Sequence, residues 1–183
     1  MSLAVVNTRA SLGVIAPSVS IEVHISNGLP ALTLVGLPET TVKEARDRVR
    51  SALINCGFSF PPRRITVNLA PADLPKEGGR YDLPIALAIL AASEQLATDK
   101  LGQYEFIGEL GLSGALRGVY GAIPAAIAAH NEGRRLILPQ DNQQEMALLE
   151  ENRVWIADHL LQVCAFLQGS GELQVVESHH SPM

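Results

Sequence analysis

RRITVNLAPADLPKEGGRYDLPIALAILAAS, residues 63–93, holds a predicted strand, a glycine-rich loop and a predicted helix in direct succession. Apolar and polar residues alternate from Ile65 to Leu69, which is the period of a half-buried strand. The loop that follows carries Gly78-Gly79, and a helix is predicted from Asp82, as its cap, to about Ala97. Because this helix is apolar nearly all round, it must be enclosed between layers of structure. The stretch therefore predicts a layered α/β fold.

Upstream of this stretch the sequence predicts two more strands and an amphipathic helix. Residues 19–26, VSIEVHIS, alternate strictly, and Asn27-Gly28 separates them from a second apolar run, ALTLVG, so a β-hairpin is expected. Apolar residues then recur at three- and four-residue steps over ETTVKEARDRVRSALINCG, residues 39–57. This spacing predicts a helix with Thr40 or Thr41 as its N-cap and Gly57 as its stop.

Downstream, strand and helix patterns alternate as they do in an α/β layer. The predicted elements are a strand near 104–110, a glycine-rich segment at 112–121, a small-residue helix at 122–133, a strand at 135–139, a helix from about Asp141, a strand at 153–157 and a last helix at 158–169. From Gly169 the composition turns polar, which indicates a frayed end or the start of a linker.

Composition narrows the class of protein. The 183 residues are 47% hydrophobic and 18% charged, which predicts one domain with a real core and argues against disorder. Two cysteines do not support a disulfide framework, and no apolar run is long enough to span a bilayer, so a cytoplasmic protein is expected. The net charge of −5 argues against a protein dominated by nucleic-acid binding. However, residues 1–82 carry nine Lys/Arg against seven Asp/Glu, so any anion-facing surface is expected in the first half.

The loop before the buried helix is the strongest candidate for a site. Gly78-Gly79 allows close backbone approach, and the start of the helix supplies amide donors suited to an anion. The alternative is that the glycines only turn the chain while Lys76, Glu77, Arg80 and Asp82 pair among themselves. Local features leave both interpretations open.

Two blocks of this region carry a family resemblance. PADLPKEGGRYDLPIALAILAAS, residues 71–93, and GELGLSGALRGVYGAIPAAIAAHNEGRRLILPQDN, residues 108–142, resemble the C-terminal proteolytic domain of Lon-type proteases. With GLPETTVKEARDRVRSALINCGF, residues 36–58, the chain is more closely similar to the N-terminal domain of the bacterial YifB/ComM group of Mg chelatase-like AAA+ proteins. The resemblance implies an α/β (α+β) fold like domain 2 of ribosomal protein S5. It implies a Lon-like, ChlI-type domain over 1–168, and 169–183 as a tail or linker to an AAA+ module outside this chain.

The Lon-type chemistry depends on a Ser nucleophile and a Lys base. Aligning the family's nucleophile loop on residues 75–79 places Arg80 at the Ser position, and the Lys position falls on Ile123. A guanidinium cannot act as the nucleophile and an isoleucine cannot move a proton, so proteolysis by this mechanism is not expected. The sequence also contains no GxxxxGK[ST] phosphate loop, and we expect no ATP hydrolysis by this chain.

By resemblance the parent protein is a hexameric, DNA-dependent AAA+ ATPase that promotes branch migration of incoming DNA in natural transformation. This domain would help to assemble the ring or guide DNA. ATP and Mg²⁺ belong to the absent module; no cofactor and no metal are expected here. Expected partners are that module, further copies of the chain and DNA, but no membrane. The candidate contacts to the DNA backbone or to a neighbouring subunit are Lys76, Arg80, Arg46, Arg50, Arg63, Arg64 and Arg117.

Three alternatives remain. The domain could be an oligomerisation scaffold without any DNA contact. It could be a Ser peptidase with a displaced dyad of Ser93 or Ser113 with Lys76. It could also belong to a subunit concerned with metal insertion into a porphyrin.

Overall fold

The computed structural model describes residues 2–74, 76, 78–149 and 154–176. Its strands are β1 (Ser2–Arg9), β2 (Ser18–Ser26), β3 (Ala31–Val35), β4 (Arg64–Ala70), β5 (Tyr104–Phe106), β6 (Glu109–Leu110), β7 (Leu116–Arg117), β8 (Arg135–Pro139), β9 (Val154–Ala157) and β10 (Gln174–Val175). Its helices are α1 (Glu39–Asn55), α2 (Asp82–Ala92), α3 (Ala122–Asn131), α4 (Gln143–Met146) and α5 (Leu160–Gln168). Short 3₁₀ turns cover Leu101–Gln103 and Gln140–Asn142.

Eight strands form one mixed sheet in the order β10-β9-β8-β5-β1-β2-β4-β3, and β6 pairs with β7 in a small second sheet. The pairs β1/β5, β5/β8, β8/β9 and β3/β4 are parallel, while β1/β2, β2/β4 and β9/β10 are antiparallel. The predicted α/β class is confirmed. In the described part of the chain, no helix has the length and apolar character needed to cross a membrane.

The two halves of the sheet are covered differently. The strand β8 alternates between two clusters: Ile137 belongs to the core with α1, α2 and α5, whereas Leu136 and Leu138 pack with α3 and α4. The β8 side of the sheet is therefore buried on both faces, as parallel strands require. On the other half one face is open, since Leu3 and Val5 of β1 are 75% and 53% exposed.

The predicted hairpin of β2 and β3 is wrong. The strand β4 lies between them, pairing antiparallel with β2 and parallel with β3 from Ala31↔Arg64 to Val35↔Asn68. A parallel partner needs a crossover, and α1 supplies it between β3 and β4. The turn signal at Asn27-Gly28 marks a chain reversal, but it cannot say which strand will occupy the neighbouring position.

The helix α1 begins and ends close to the predicted bounds. Its N-cap is Pro38, not Thr40 or Thr41, and the Thr41 hydroxyl donates to the Pro38 carbonyl at 2.8 Å. At the other end Gly57 has φ +86°, a left-handed conformation that glycine adopts without strain, so the predicted stop is confirmed.

All eleven residues of α2 are buried, which confirms that this helix is enclosed between layers. It ends at Ala92 and not near Ala97, because Glu94 takes φ +63° and the Ser93 hydroxyl bonds to the Ile89 carbonyl at 2.8 Å. The predicted cap at Asp82 is also wrong: Tyr81 is the N-cap, and its side chain makes no capping hydrogen bond.

Two predictions near the C-terminal end need correction. The helix expected from Asp141 is only a 3₁₀ turn followed by the four residues of α4. The segment after Gly169 does not fray at once, because β10 adds to the edge of β9 and Val176 is buried. The remaining predicted tail lies outside the described residues, and the division at residue 168 stays a prediction.

Candidate functional site

The loop that precedes α2 is held by backbone hydrogen bonds to Gly108, which lies between β5 and β6. The Gly108 amide donates to the Arg80 carbonyl and the Leu83 amide donates to the Gly108 carbonyl, both at 3.0 Å. The Asp82 amide donates to the Gly79 carbonyl at 3.0 Å. These bonds already use the Asp82 and Leu83 amides at the start of α2, so those donors are not free for a ligand.

Arg80 points inward from this loop and is only 6% exposed. Its Nε donates to the Arg9 carbonyl at 3.1 Å and its Nη1 to the Tyr120 carbonyl at 2.8 Å. Its Nη2 is buried and has no partner among the described residues, and no described carboxylate lies within ion-pair distance of the guanidinium. Burial lowers the pKa of Arg80 from its ordinary value, because the charge loses hydration without gaining a counterion.

A buried ion cluster lies behind Arg80. Arg9, 2% exposed, donates from Nε and Nη2 to the carboxylate of Glu105 at 2.6 and 2.9 Å, and Glu105 is fully buried. Arg134 reaches the same carboxylate at 3.0 Å, and Glu132 contacts Arg9 at 2.9 Å. Burial opposes the charge of Arg9, but the hydrogen bonds that it donates to Glu105 and Glu132 raise its pKa above the ordinary value. The cluster fixes Arg9, whose carbonyl holds Arg80.

Lys76 is buried as well, at 1% exposed. Its Nζ donates to the Leu74 carbonyl at 3.2 Å, and burial lowers the pKa of its ammonium group. The predicted contact of Lys76 and Arg80 with DNA or a subunit stays a prediction. Since both are buried, a ligand would have to reach into the fold to touch either of them.

Asp82 connects the same loop to α1. Its carboxylate accepts from Arg48 Nε at 2.6 Å and from the Leu110 amide at 3.1 Å, and it is 1% exposed. Burial raises the pKa of Asp82 to about 6, although the hydrogen bond from Arg48 opposes the shift. The alternative in which Asp82 pairs within the loop is therefore wrong for this residue, because its described partners lie on other elements.

A cavity of about 600 Å³ opens beside this loop. Two exposed segments form part of its lining, the turn at 11–13 and the segment at 118–120. The carboxylate of Glu109 lies over Gly79, where a side chain would otherwise stand. The lining residues are Ser11, Leu12, Gly13, Gly78, Gly79, Arg80, Tyr81, Glu109, Gly118, Val119 and Tyr120.

The structure places none of the proposed peptidase groups in a working arrangement. Ile123 is half-buried and packs against the cluster around α3. Ser93 follows the last residue of α2, whereas Lys76 precedes its first turn, so the eleven residues of that helix separate them. Ser113 lies in a turn, where its hydroxyl meets the Ala115 amide at 3.4 Å. No displaced dyad is formed in the described part of the chain.

The other five candidate cations are exposed: Arg46, Arg50, Arg63, Arg64 and Arg117. None has an ion-pair partner among the residues that the structure describes. Arg117 lies on β7, whereas the other four belong to the unit of β3, α1 and β4. Sequence reasoning thus named the exposed cations but missed Arg9, Arg48 and Glu105.

No group of three or more His, Cys, Asp or Glu side chains in the described ranges is arranged to hold a metal ion.

Comparison with known proteins identifies a family model and relatives that agree with one another. The family model for subunit ChlI of Mg-chelatase matches residues 21–142. The uncharacterized protein YifB of Escherichia coli strain K12 is 64% identical over 95% of this chain, and competence protein ComM of Haemophilus influenzae is 60% identical over 94%. An uncharacterized protein of Mycobacterium tuberculosis strain H37Rv is 42% identical over 83%. The matches cover 34%, 34% and 30% of those proteins, so the chain spans about a third of their length.

Proposed function

Since the chain belongs to the family of subunit ChlI of Mg-chelatase, we propose that it is a non-catalytic module of an AAA+ ATPase that helps the ATPase to hold DNA. The observation that supports this role is a group of exposed arginines in the β3–α1–β4 unit that have no carboxylate partner among the described residues. We call Arg46, Arg50, Arg63 and Arg64 the basic end.

Chain connectivity brings Arg50, Arg63 and Arg64 to the same end of the unit. Arg46 and Arg50 lie one turn apart on the exposed side of α1, and the Arg50 guanidinium stacks over the ring of Phe60 at 5.6 Å. Two prolines after Phe60 lead directly to Arg63 and Arg64, where β4 begins. Because α1 returns the chain from the end of β3 to the start of β4, its last turn lies toward the end of the unit where β4 begins. Arg64 precedes the buried Ile65, so it lies on the face of the sheet opposite α1.

The free charges of the basic end favour a polyanion as ligand. Each exposed arginine that meets a phosphate releases condensed counterions from DNA, which gives affinity without base selectivity. Arg48, on the same helix, is already neutralised by Asp82 and contributes no free charge. Aromatic residues make up only 4% of the chain, so base stacking contributes little.

Similarity to competence protein ComM supports a parent protein that acts on DNA. We extend the proposal to a cytoplasmic, ring-forming parent, a hexamer that promotes branch migration during natural transformation. ATP and Mg²⁺ do not fit this chain, because its sequence has no phosphate loop and its described residues contain no cluster of metal ligands. They belong to the ATPase module of the parent.

The test is a titration of fluorescein-labelled single-stranded DNA with this chain and with a variant in which all four arginines of the basic end are replaced by Ala. We expect affinity to fall for every base sequence while the mass in solution stays the same. A lower mass with unchanged DNA affinity would replace the DNA role by the oligomerisation scaffold. Unchanged affinity and unchanged mass would overturn both.

A further inference from the structure

The cavity beside Arg80 has the features of a binding site that the DNA role does not use. We propose that it binds one carboxylate group carried on an apolar body, such as an apolar carboxylic acid or the C-terminal residue of a peptide. Its volume of about 600 Å³ suits a ligand of that size.

The first support is an unpaired cation in the wall. Arg80 is only 6% exposed, yet no described carboxylate neutralises it. Its Nη2 has no hydrogen-bond partner in the described structure. A buried charge without a counterion is costly, so a carboxylate from outside gains the interaction that the fold leaves unmade. The guanidinium is also held in place by two carbonyls, at 3.1 and 2.8 Å, which reduces the entropy lost on binding.

The second support is a neighbouring donor in the same wall. Tyr81 is 1% exposed, lines the cavity, and its phenol oxygen has no partner among the described residues. Burial raises the pKa of Tyr81 to about 12, so the phenol keeps its proton at neutral pH and can donate to an anion. Two residues that line one cavity thus each carry an unpartnered donor in the described structure.

Exposed apolar residues in the lining of the cavity indicate that the ligand's carboxylate is attached to an apolar group. Leu12 is 40% exposed and Tyr120 is 94% exposed, and both line the cavity. Large apolar side chains held open to solvent at the rim of a pocket are typical of a site for an apolar ligand.

Glu109 limits the charge that the cavity accepts. Its carboxylate lies in the wall over Gly79, so a doubly charged phosphate, or the several charges of a DNA backbone, are repelled more strongly there than one carboxylate. A ligand with one carboxylate next to an amide group fits better. Arg80 and Tyr81 would donate hydrogen bonds to its carboxylate, and Glu109 would accept one from its amide N–H.

The experiment follows the backbone amide signals of Gly78, Gly79 and Gly118 by NMR in this chain. The probes are N-acetyl-leucine, its amide N-acetyl-leucinamide, an acetylated pentapeptide that ends in leucine with a free carboxylate, and inorganic phosphate. We expect saturable shifts with the two acids and none with the amide. Tighter binding of the pentapeptide identifies a peptide end as the source, and equal binding identifies a small acid.

Variants then assign the donors. Arg80→Met should weaken binding of the acid roughly tenfold or more, since a hydrogen bond to a charged group is lost. This variant could lose its fold, so Tyr81→Phe is the second: it removes an unpartnered hydroxyl and should keep stability while weakening binding about threefold. The matched control is Tyr104→Phe, since Tyr104 packs among Phe106, Trp155 and Phe166 away from the cavity.

Three results would overturn the proposal. The first is the absence of saturable shifts with either acid at millimolar concentration. The second is binding of the amide or of phosphate as tight as that of the acid. The third is an unchanged affinity for the acid in folded Tyr81→Phe. If Arg80→Met also folds, its affinity must be unchanged as well.

Discussion

The basic end and the cavity beside Arg80 use the same residue type in opposite states of hydration. At the basic end four arginines are exposed, and Arg50 only rests on a ring. In the cavity one arginine is 6% exposed and held by two backbone carbonyls. Exposed cations attract a polyanion over a wide surface, while a buried cation selects a single group that fits. The charge of a residue therefore predicts its ligand only once its burial is known.

The largest expected effect comes from breaking the ion cluster that supports the cavity. Glu105→Gln removes the fully buried carboxylate that Arg9 and Arg134 share, and should cost about 3–5 kcal/mol of the free energy of unfolding. The control is Glu132→Gln: Glu132 also contacts Arg9 but is 46% exposed, so the cost should be about 1 kcal/mol or less. Urea denaturation measures the free energy of unfolding of both variants. Equal losses would mean that the buried ion pair stabilises the fold no more than the exposed one.

That cluster also shows what the sequence could not predict. Arg9 and Glu105 are 96 positions apart, and no local period relates two single charges at that separation. Arg48 left a faint signal, since it stands three residues after Ala45 and four before Ala52, beside the apolar stripe of α1 and outside its solvated face. Most strands, the buried α2 and the family were predictable because alternation and specific motifs are local. The strands β1 and β10 were not predicted. The pairing of β3 with β4 and the burial of Lys76 and Arg80 depend on tertiary packing.

The next effect concerns the ion pair that links the two regions, Arg48 with Asp82. The folded protein holds the pKa of Asp82 at about 6, above the ordinary 3.8, so between these values it binds a proton that the unfolded chain does not. The stability contributed by this group is therefore greatest at low pH and declines as pH rises through about 6, by roughly 2–3 kcal/mol. The free energy of unfolding relative to Asp82→Asn, followed from pH 4 to 7, measures it. A difference that grows with pH would contradict the assignment.

A smaller effect on DNA affinity distinguishes the arginines of the basic end from exposed arginines elsewhere on the surface. Arg50→Ala should weaken binding to single-stranded DNA about threefold, as expected for one phosphate contact at moderate salt. Arg135→Ala is a close control, because Arg135 is also exposed and stacks on a ring, that of Trp155, at 5.2 Å, but on β8. Equal losses in the two variants would show that net charge alone determines affinity.

The smallest effect is expected at the serines. Ser93 and Ser113 should not react with serine-directed fluorophosphonates, because no base reaches either hydroxyl in the described structure. Mass spectrometry of the treated protein measures this. A labelled Ser93 or Ser113 whose labelling is lost in Lys76→Met would restore the displaced dyad.

The salt dependence of DNA binding tests the central claim most directly, namely that the exposed basic end and not the buried loop holds DNA. The slope of log affinity against log salt is compared for the protein, for Arg63→Ala/Arg64→Ala and for Lys76→Met. The double variant should have a slope shallower by about two units, and Lys76→Met should keep the slope of the unmodified protein. A slope unchanged in the double variant, or one made shallower only by Lys76→Met, would contradict the account.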